Sequence, residues 1–218
     1  MPSMNDSGDA TKTLDTVVTR YRRAERAASW ATALFAGLVA AGLILFLPLW
    51  QGLLGAVAVL AVFRVPLFTT GGTARLRTTA TPTAVRDAFS GSHPPVLILQ
   101  WAIAEERTAT TDGATFELSY LLGLRSITMS TTVAETPAAE TDFALRVTAG
   151  DKPWGTYGVT LTDQGDETLI EIDVRSDRRF GLRGLPSWLI AQRYYDAALA
   201  AHGYTVCARD RSLSLRRR

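Results

Sequence analysis

The stretch TFELSYLL, residues 115–122, decides the fold. In an extended chain Phe116, Leu118, Tyr120 and Leu122 point one way, while Thr115, Glu117 and Ser119 point the other. A period of two describes a strand with one apolar and one wet face. The same alternation recurs downstream. Ile127, Met129, Thr131 and Val133 oppose Ser126, Thr128, Ser130 and Thr132, and Phe143, Leu145 and Val147 oppose Asp142, Ala144 and Arg146. Tyr157, Val159 and Leu161 form the inward side of the next segment, and Ile170, Ile172 and Val174 that of the last. Upstream, residues 96–107 are apolar on both faces in their first half, which predicts a strand covered on both sides. Asp112-Gly113, Gly123 and polar loops at 137–140, 150–153 and 163–166 supply the turns. Six consecutive strands joined so briefly make an antiparallel meander.

A sheet with one apolar face needs a cover. Residues 186–202 provide it, with Trp188, Leu189, Tyr195, Ala198 and Leu199 recurring mostly at three- and four-residue spacing before Gly203. Trp188 and Leu189 are expected on the inner sheet face, contributing roughly 2 to 3 kcal/mol each. The tail beyond Tyr204 is expected to fray. Ahead of the meander, residues 74–80 alternate as a half-buried strand. Thr81 and Pro82 then start a short helix that buries Val85 and Phe89 and stops at Gly91.

The N-terminal third has different physics. Residues 27–63 contain no charged side chain across 37 positions. One straight helix of that length would measure about 55 Å against a hydrocarbon core of about 30 Å. Pro48, Gln51 and Gly52 divide it into two arms, a helical hairpin. Ala33, Gly37 and Ala41 are spaced to let the arms approach. Arg20, Arg22, Arg23 and Arg26 precede the hairpin and Arg64, Arg75 and Arg77 follow it, so both termini are expected in the cytoplasm. The resulting organisation is a polar and basic leader over 1–26, with an interfacial helix from 14 or a plain basic flank. A transmembrane hairpin follows over 27–68, then a folded domain over 73–206 and a basic tail over 207–218.

Composition narrows the function. Residues 73–215 hold 14 basic and 17 acidic side chains, which excludes a nucleic-acid-binding face. A single cysteine, Cys207, excludes an internal disulfide, and His93 and His202 lie in no metal-ligand spacing. No Walker loop, dinucleotide-binding glycine pattern, CxxC pair or HExxH helix is present. Neither a cofactor nor a metal is implied.

The order of elements resembles the START-related polyketide cyclase and lipid-transport superfamily, often called SRPBCC. The likeness is carried by Ala80, Thr81, Pro82, Thr83, Ala84, Val85 and Arg86, and by residues 167–174 followed by the helix at 186–202. It covers residues 73–206 and departs in having one short helix before the meander where the superfamily has two. The resemblance implies an α+β helix-grip fold, a curved antiparallel sheet wrapped on a long C-terminal helix around a cavity for a hydrophobic ligand. It places Trp101, Phe116, Tyr120, Met129, Tyr157, Ile172, Trp188 and Tyr195 in or near the cavity wall.

Chemistry finds little purchase on the inner face, where Tyr120, Tyr157 and Thr131 are the main polar groups. Glu105 and Glu106 are adjacent, so in a strand they point to opposite faces and form no acid–base pair. Arg175, Arg178, Arg179 and Arg183 cluster before the last helix. They suit anionic lipid headgroups, an acidic ligand or a protein partner, or else a solvated loop with Asp177. The function expected is a membrane-anchored, cytoplasm-facing binding domain for a hydrophobic small molecule or lipid, without catalysis. The alternatives are a non-catalytic interaction subunit of a membrane protein complex and, third, an enzyme of the cyclase or hydratase kind.

Overall fold

A computed structural model describes residues 4–120, 125–135 and 141–215, with the side chains of 4–11, 120 and 125 outside that description. Leu122, Gly123 and the loop at 137–140 therefore lie outside the described residues. Two helices open the chain, α1 (Met4–Phe46) and α2 (Leu49–Arg64), folded against each other at Pro48. The domain follows as β1 (Phe68–Thr78), α3 (Pro82–Ser90), a 3-10 turn leading into α4 (Ile98–Ile103), β2 (Glu106–Thr110), β3 (Gly113–Tyr120), β4 (Arg125–Ala134), β5 (Phe143–Ala149), β6 (Lys152–Asp163), β7 (Thr168–Phe180), α5 (Leu185–Ala201) and β8 (Thr205–Leu215). The eight strands form one antiparallel sheet in the order β2-β3-β4-β5-β6-β7-β1-β8. The fold is α+β, a helix-grip arrangement of sheet and long C-terminal helix.

The inner face is built from the residues that the alternation put there. Phe116, Leu118, Met129, Leu145, Val147, Val159, Ile170 and Ile172 are buried in one cluster with Val85, Phe89, Ala198 and Leu199. Thr81 caps α3 by accepting a hydrogen bond from Ala84 N at 3.3 Å.

Three expectations are corrected. Residues 95–103 are helical, and the strand begins only at Glu106. A run that is apolar on all sides suits a buried helix as well as a covered strand, and periodicity does not separate them. Pro95 starts the turn, Val96 to Leu99 are buried, and the indole Nε1 of Trp101 donates to Pro94 O at 3.0 Å. The two-helix connection ahead of the meander is thereby complete, removing the departure noted above. Second, the tail does not fray: β8 pairs along the outer edge of β1, from Arg77↔Thr205 to Phe68↔Leu215. An unpaired β1 would present a row of open backbone groups, and β8 satisfies it. Third, Leu189 is 59% exposed and makes no core contact.

The hairpin seam also differs from the spacing argument. Ala33, Gly37 and Ala41 are exposed, whereas Ala36, Gly52 and Ala56 are buried where the arms meet. A Cβ on Gly52 would run into the backbone of Leu43 and Ile44. The segment Lys12–Phe46 is long and apolar enough to cross a membrane by length and composition. Its lower part belongs to the domain. Val18 and Tyr21 are buried, and Leu14 and Val17 pack beside them, as α1 runs along α5. Val18 and Tyr21 are thus covered by protein, while Leu14 and Val17 are half-buried.

Candidate functional site

Register defines the inner face row by row. Phe143, Val159, Ile172, Ala74 and Arg209 stand side by side across β5, β6, β7, β1 and β8. The next row toward the hairpin is Leu145, Tyr157, Val174, Gly72 and Arg211. Phe143, Val159 and Ile172 in the first row are buried, and so are Ile170 and Leu76 beyond it. In the second row Leu145 is buried, while Tyr157 and Val174 are only half-buried. The concavity is thus sealed at its far end and loosens toward the end where the hairpin joins. That junction is tight in the backbone: Leu67 N donates to Phe180 O at 3.1 Å, and Gly181 lies against the carbonyls of Phe63 and Val65.

Gly72 has φ +147°, and a Cβ there would strike the Asp210 carbonyl. The backbone of Asp210 and Arg211 fills the place that a side chain would take. Arg211 occupies that side of the sheet, its guanidinium carbon 4.5 Å from the centre of the Tyr195 ring. Arg209, one row deeper, is held by Asp196 Oδ1 at 2.5 Å and by Gln192 O at 3.1 Å. Among the described residues Arg211 has no such carboxylate. Burial, and secondarily Arg209, lowers the pKa of Arg211 even though Tyr195, Tyr157 and Asp196 oppose the shift.

Both phenols stay protonated at neutral pH. Burial, then the neighbouring Tyr195, pushes Tyr157 up to about 12, and its hydroxyl is hydrogen-bonded to Trp154. Burial likewise raises Tyr195, which donates to Val96 O at 3.4 Å. Arg178 covers the Trp154 ring at 4.1 Å. On α5, Trp188, Gln192, Tyr195 and Leu199 share one helical stripe. The Nε2 of Gln192 is buried there without a hydrogen-bond partner, as is Oε1 of Gln100 on α4, which packs on the same helix.

The sealed end is aromatic. Trp101 meets His93 edge-on at 4.7 Å and His202 at 5.3 Å, with Tyr204 beyond at 5.9 Å from His202. Burial lowers the pKa of both histidines, with Arg107 adding to the effect on His93 and His93 to that on His202.

The residues expected at the cavity wall divide accordingly. Phe116, Met129 and Ile172 lie in the core, and Trp101 sits on α4 at the sealed end. Tyr157 on β6 and Tyr195 on α5 are near enough for Tyr195 to add to the rise in the Tyr157 pKa. Trp188 is half-buried outside the core cluster, and the Tyr120 side chain is outside the described residues. Arg175 pairs with Asp173 at 3.3 Å, and Arg179 and Arg183 are exposed. Sequence reasoning missed Gly72, Gln192, Arg209 and Arg211. The signal was the alternation of Arg209 and Arg211 about Asp210, in a segment taken for a tail.

A separate hollow of about 490 Å3 opens at the corner between hairpin and domain. Ala28, Ala31 and Phe35 of α1, Phe63 of α2, and Leu185 and Pro186 of α5 are among its lining residues. Asp196 is engaged by Arg209. Among the described residues no group of three His, Cys, Asp or Glu could hold a metal ion.

No protein-family model matches the chain, and no curated protein matches it. Several solved structures are similar. The Mll3558 protein from Rhizobium loti is 19% identical, with a TM-score of 0.40 over 62% of this chain and 96% of its own. A START superfamily protein from Mycobacterium smegmatis is 15% identical, with a TM-score of 0.38 over 61% and 95%. The major latex-like protein 151 of Panax ginseng is 12% identical, with a TM-score of 0.35 over 62% and 98%.

Proposed function

We propose that the chain is a membrane-anchored binding domain that faces the cytoplasm and takes up a hydrophobic small molecule or lipid from the bilayer beside it. One observation supports this reading: the inner face is packed shut at its far end, while Tyr157 and Val174 nearer the hairpin are only half-buried. An apolar molecule leaving the bilayer along the hairpin would meet that end first. The outer faces of the hairpin suit lipid, with Leu38, Leu45, Leu49, Trp50 and Leu53 all exposed. The apolar hollow at the corner lies on the same route. Arginines 179 and 183 stand at the hairpin end of the domain, where headgroups would neutralise them. Both arms of the hairpin, and both termini on the basic side, belong to this proposal.

The test is to purify the full chain from native membranes in a mild detergent, extract it, and analyse the extract by mass spectrometry. A stoichiometric apolar molecule that competes with added lipid is the expected result. Recovery with no copurifying apolar molecule, and no uptake of labelled lipid from vesicles, overturns the reading.

A further inference from the structure

We infer that the loose end of the concavity is an acid-recognition site, in which Arg211, Gln192 and Tyr157 bind the single negative charge of a long-chain carboxylic acid. The inference rests on the binding reading above and names the ligand class. Its basis is a count of donors and acceptors. Arg211 brings a guanidinium into a partly buried position beside the Tyr195 ring, with no carboxylate partner among the described residues. Gln192 adds a buried amide nitrogen without a hydrogen-bond partner among the described residues, on the helical stripe that also carries Tyr195. Tyr157 stands in the same sheet row as Arg211, with Val174 and Gly72 between them.

All three groups can donate, and the Gln192 amide is buried without a hydrogen-bond partner among the described residues. The acidic side chain within reach, Asp196, is already bound to Arg209. An acidic ligand would give Arg211 and the Gln192 amide an acceptor that no described side chain now supplies. One unneutralised guanidinium balances one negative charge, and its planar fork matches a carboxylate in two parallel hydrogen bonds. A phosphomonoester carries nearly two charges and would leave one uncompensated. Leading away from the donors, the half-buried surfaces of Val174 and Trp188 suit a hydrocarbon tail.

The experiment uses the full chain in phosphatidylcholine nanodiscs, with oleate, oleyl alcohol and acetate as probes. Oleate labelled with carbon-13 at the carboxyl should give a bound resonance distinct from the bilayer pool. Arg211→Gln should weaken oleate binding at least tenfold while oleyl alcohol binds as before, and Arg211→Lys should recover part of the loss. Should Arg211→Gln fail to fold, Gln192→Leu and Tyr157→Phe serve instead, each expected to weaken oleate alone by several-fold. Equal binding of oleate and oleyl alcohol, insensitive to these substitutions, overturns the acid site and leaves the apolar-ligand reading standing. Acetate displacing oleate at equal concentration marks a small-anion site and overturns the claim for a long-chain acid. Failure of both long-chain probes to bind overturns this inference and the reading beneath it.

Discussion

Tyr21 on α1 meets Tyr194 on α5 edge to face, their ring centres 6.2 Å apart at an interplanar angle of 66°. This contact lies along the line where the first helix of the chain runs along the last helix of the domain. Arg22 ties α1 to the end of α4 as well, donating to Ile103 O at 2.7 Å. Tyr21→Ala should cost about 3 kcal/mol through lost burial and an unfilled space. A double-mutant cycle with Tyr194→Ala, read by denaturant unfolding, should give a coupling of about 1 kcal/mol. Additive losses would mean that the two rings do not interact.

The seam of the hairpin depends on the absence of a side chain. Gly52→Val would place methyl groups where the Leu43 carbonyl and Ile44 Cα now sit, so the arms must separate. Gly37→Val meets nothing within 4 Å and serves as the control. Cysteine pairs placed across the seam should crosslink in the wild type and in the Gly37 variant, and lose most of their yield in the Gly52 variant.

At Gly72 the constraint is conformational as well as steric. A side chain at φ +147° is strained by about 1 to 3 kcal/mol before any collision is counted. Gly72→Ala should loosen the pairing of β1 with β8, and hydrogen exchange should quicken in residues 205–215 while residues 143–149 stay protected.

Thr131 is buried at 3% exposure, with its hydroxyl accepting from Ala114 N at 2.9 Å and donating to Ala114 O at 3.2 Å. Thr131→Val preserves shape and strands both backbone groups, so a loss of about 2 kcal/mol is expected in chemical unfolding. Thr131→Ser should restore most of it.

The two histidines at the sealed end give the domain an acid-sensitive side. Burial favours their neutral forms, so both titrate below the ordinary 6.5 in the fold. The unfolded chain then binds protons more readily than the folded one between the depressed values and 6.5. The histidine contribution is complete above about 6.5 and is lost as the pH falls through the folded values. Melting temperature should drop between pH 7 and pH 5.5, and His93→Gln with His202→Gln should flatten that part of the profile. An unchanged slope in the double variant would remove the histidines as its cause.

The strands from Phe116 to Val174 were legible because a one-sided sheet must alternate, and the Thr81-Pro82 start of α3 because capping chemistry is local. Residues 95–103 were not, since a fully buried segment is apolar on every side whether helix or strand. The last strand escaped for a different reason. Arg209 and Arg211 look like tail residues until the open edge of β1 and the side chain of Asp196 are known, and both are set by distant parts of the chain. The candidate site shares that limit. Its aromatic residues follow from alternation, but the pairing of Gly72 with Arg211 is a matter of register across β1 and β8.

The first helix runs unbroken from Met4 to Phe46, its lower turns gripping α5 and its upper turns apolar on the outside. A rod clamped at one end transmits rotation. Under the anchored reading, a thinner bilayer that forces the upper turns to lean must swing the lower turns too, and α5 is the element they hold. Lipid thickness would then act as a lever on the cover of the concavity, opening or tightening its hairpin end with no loop to absorb the stroke.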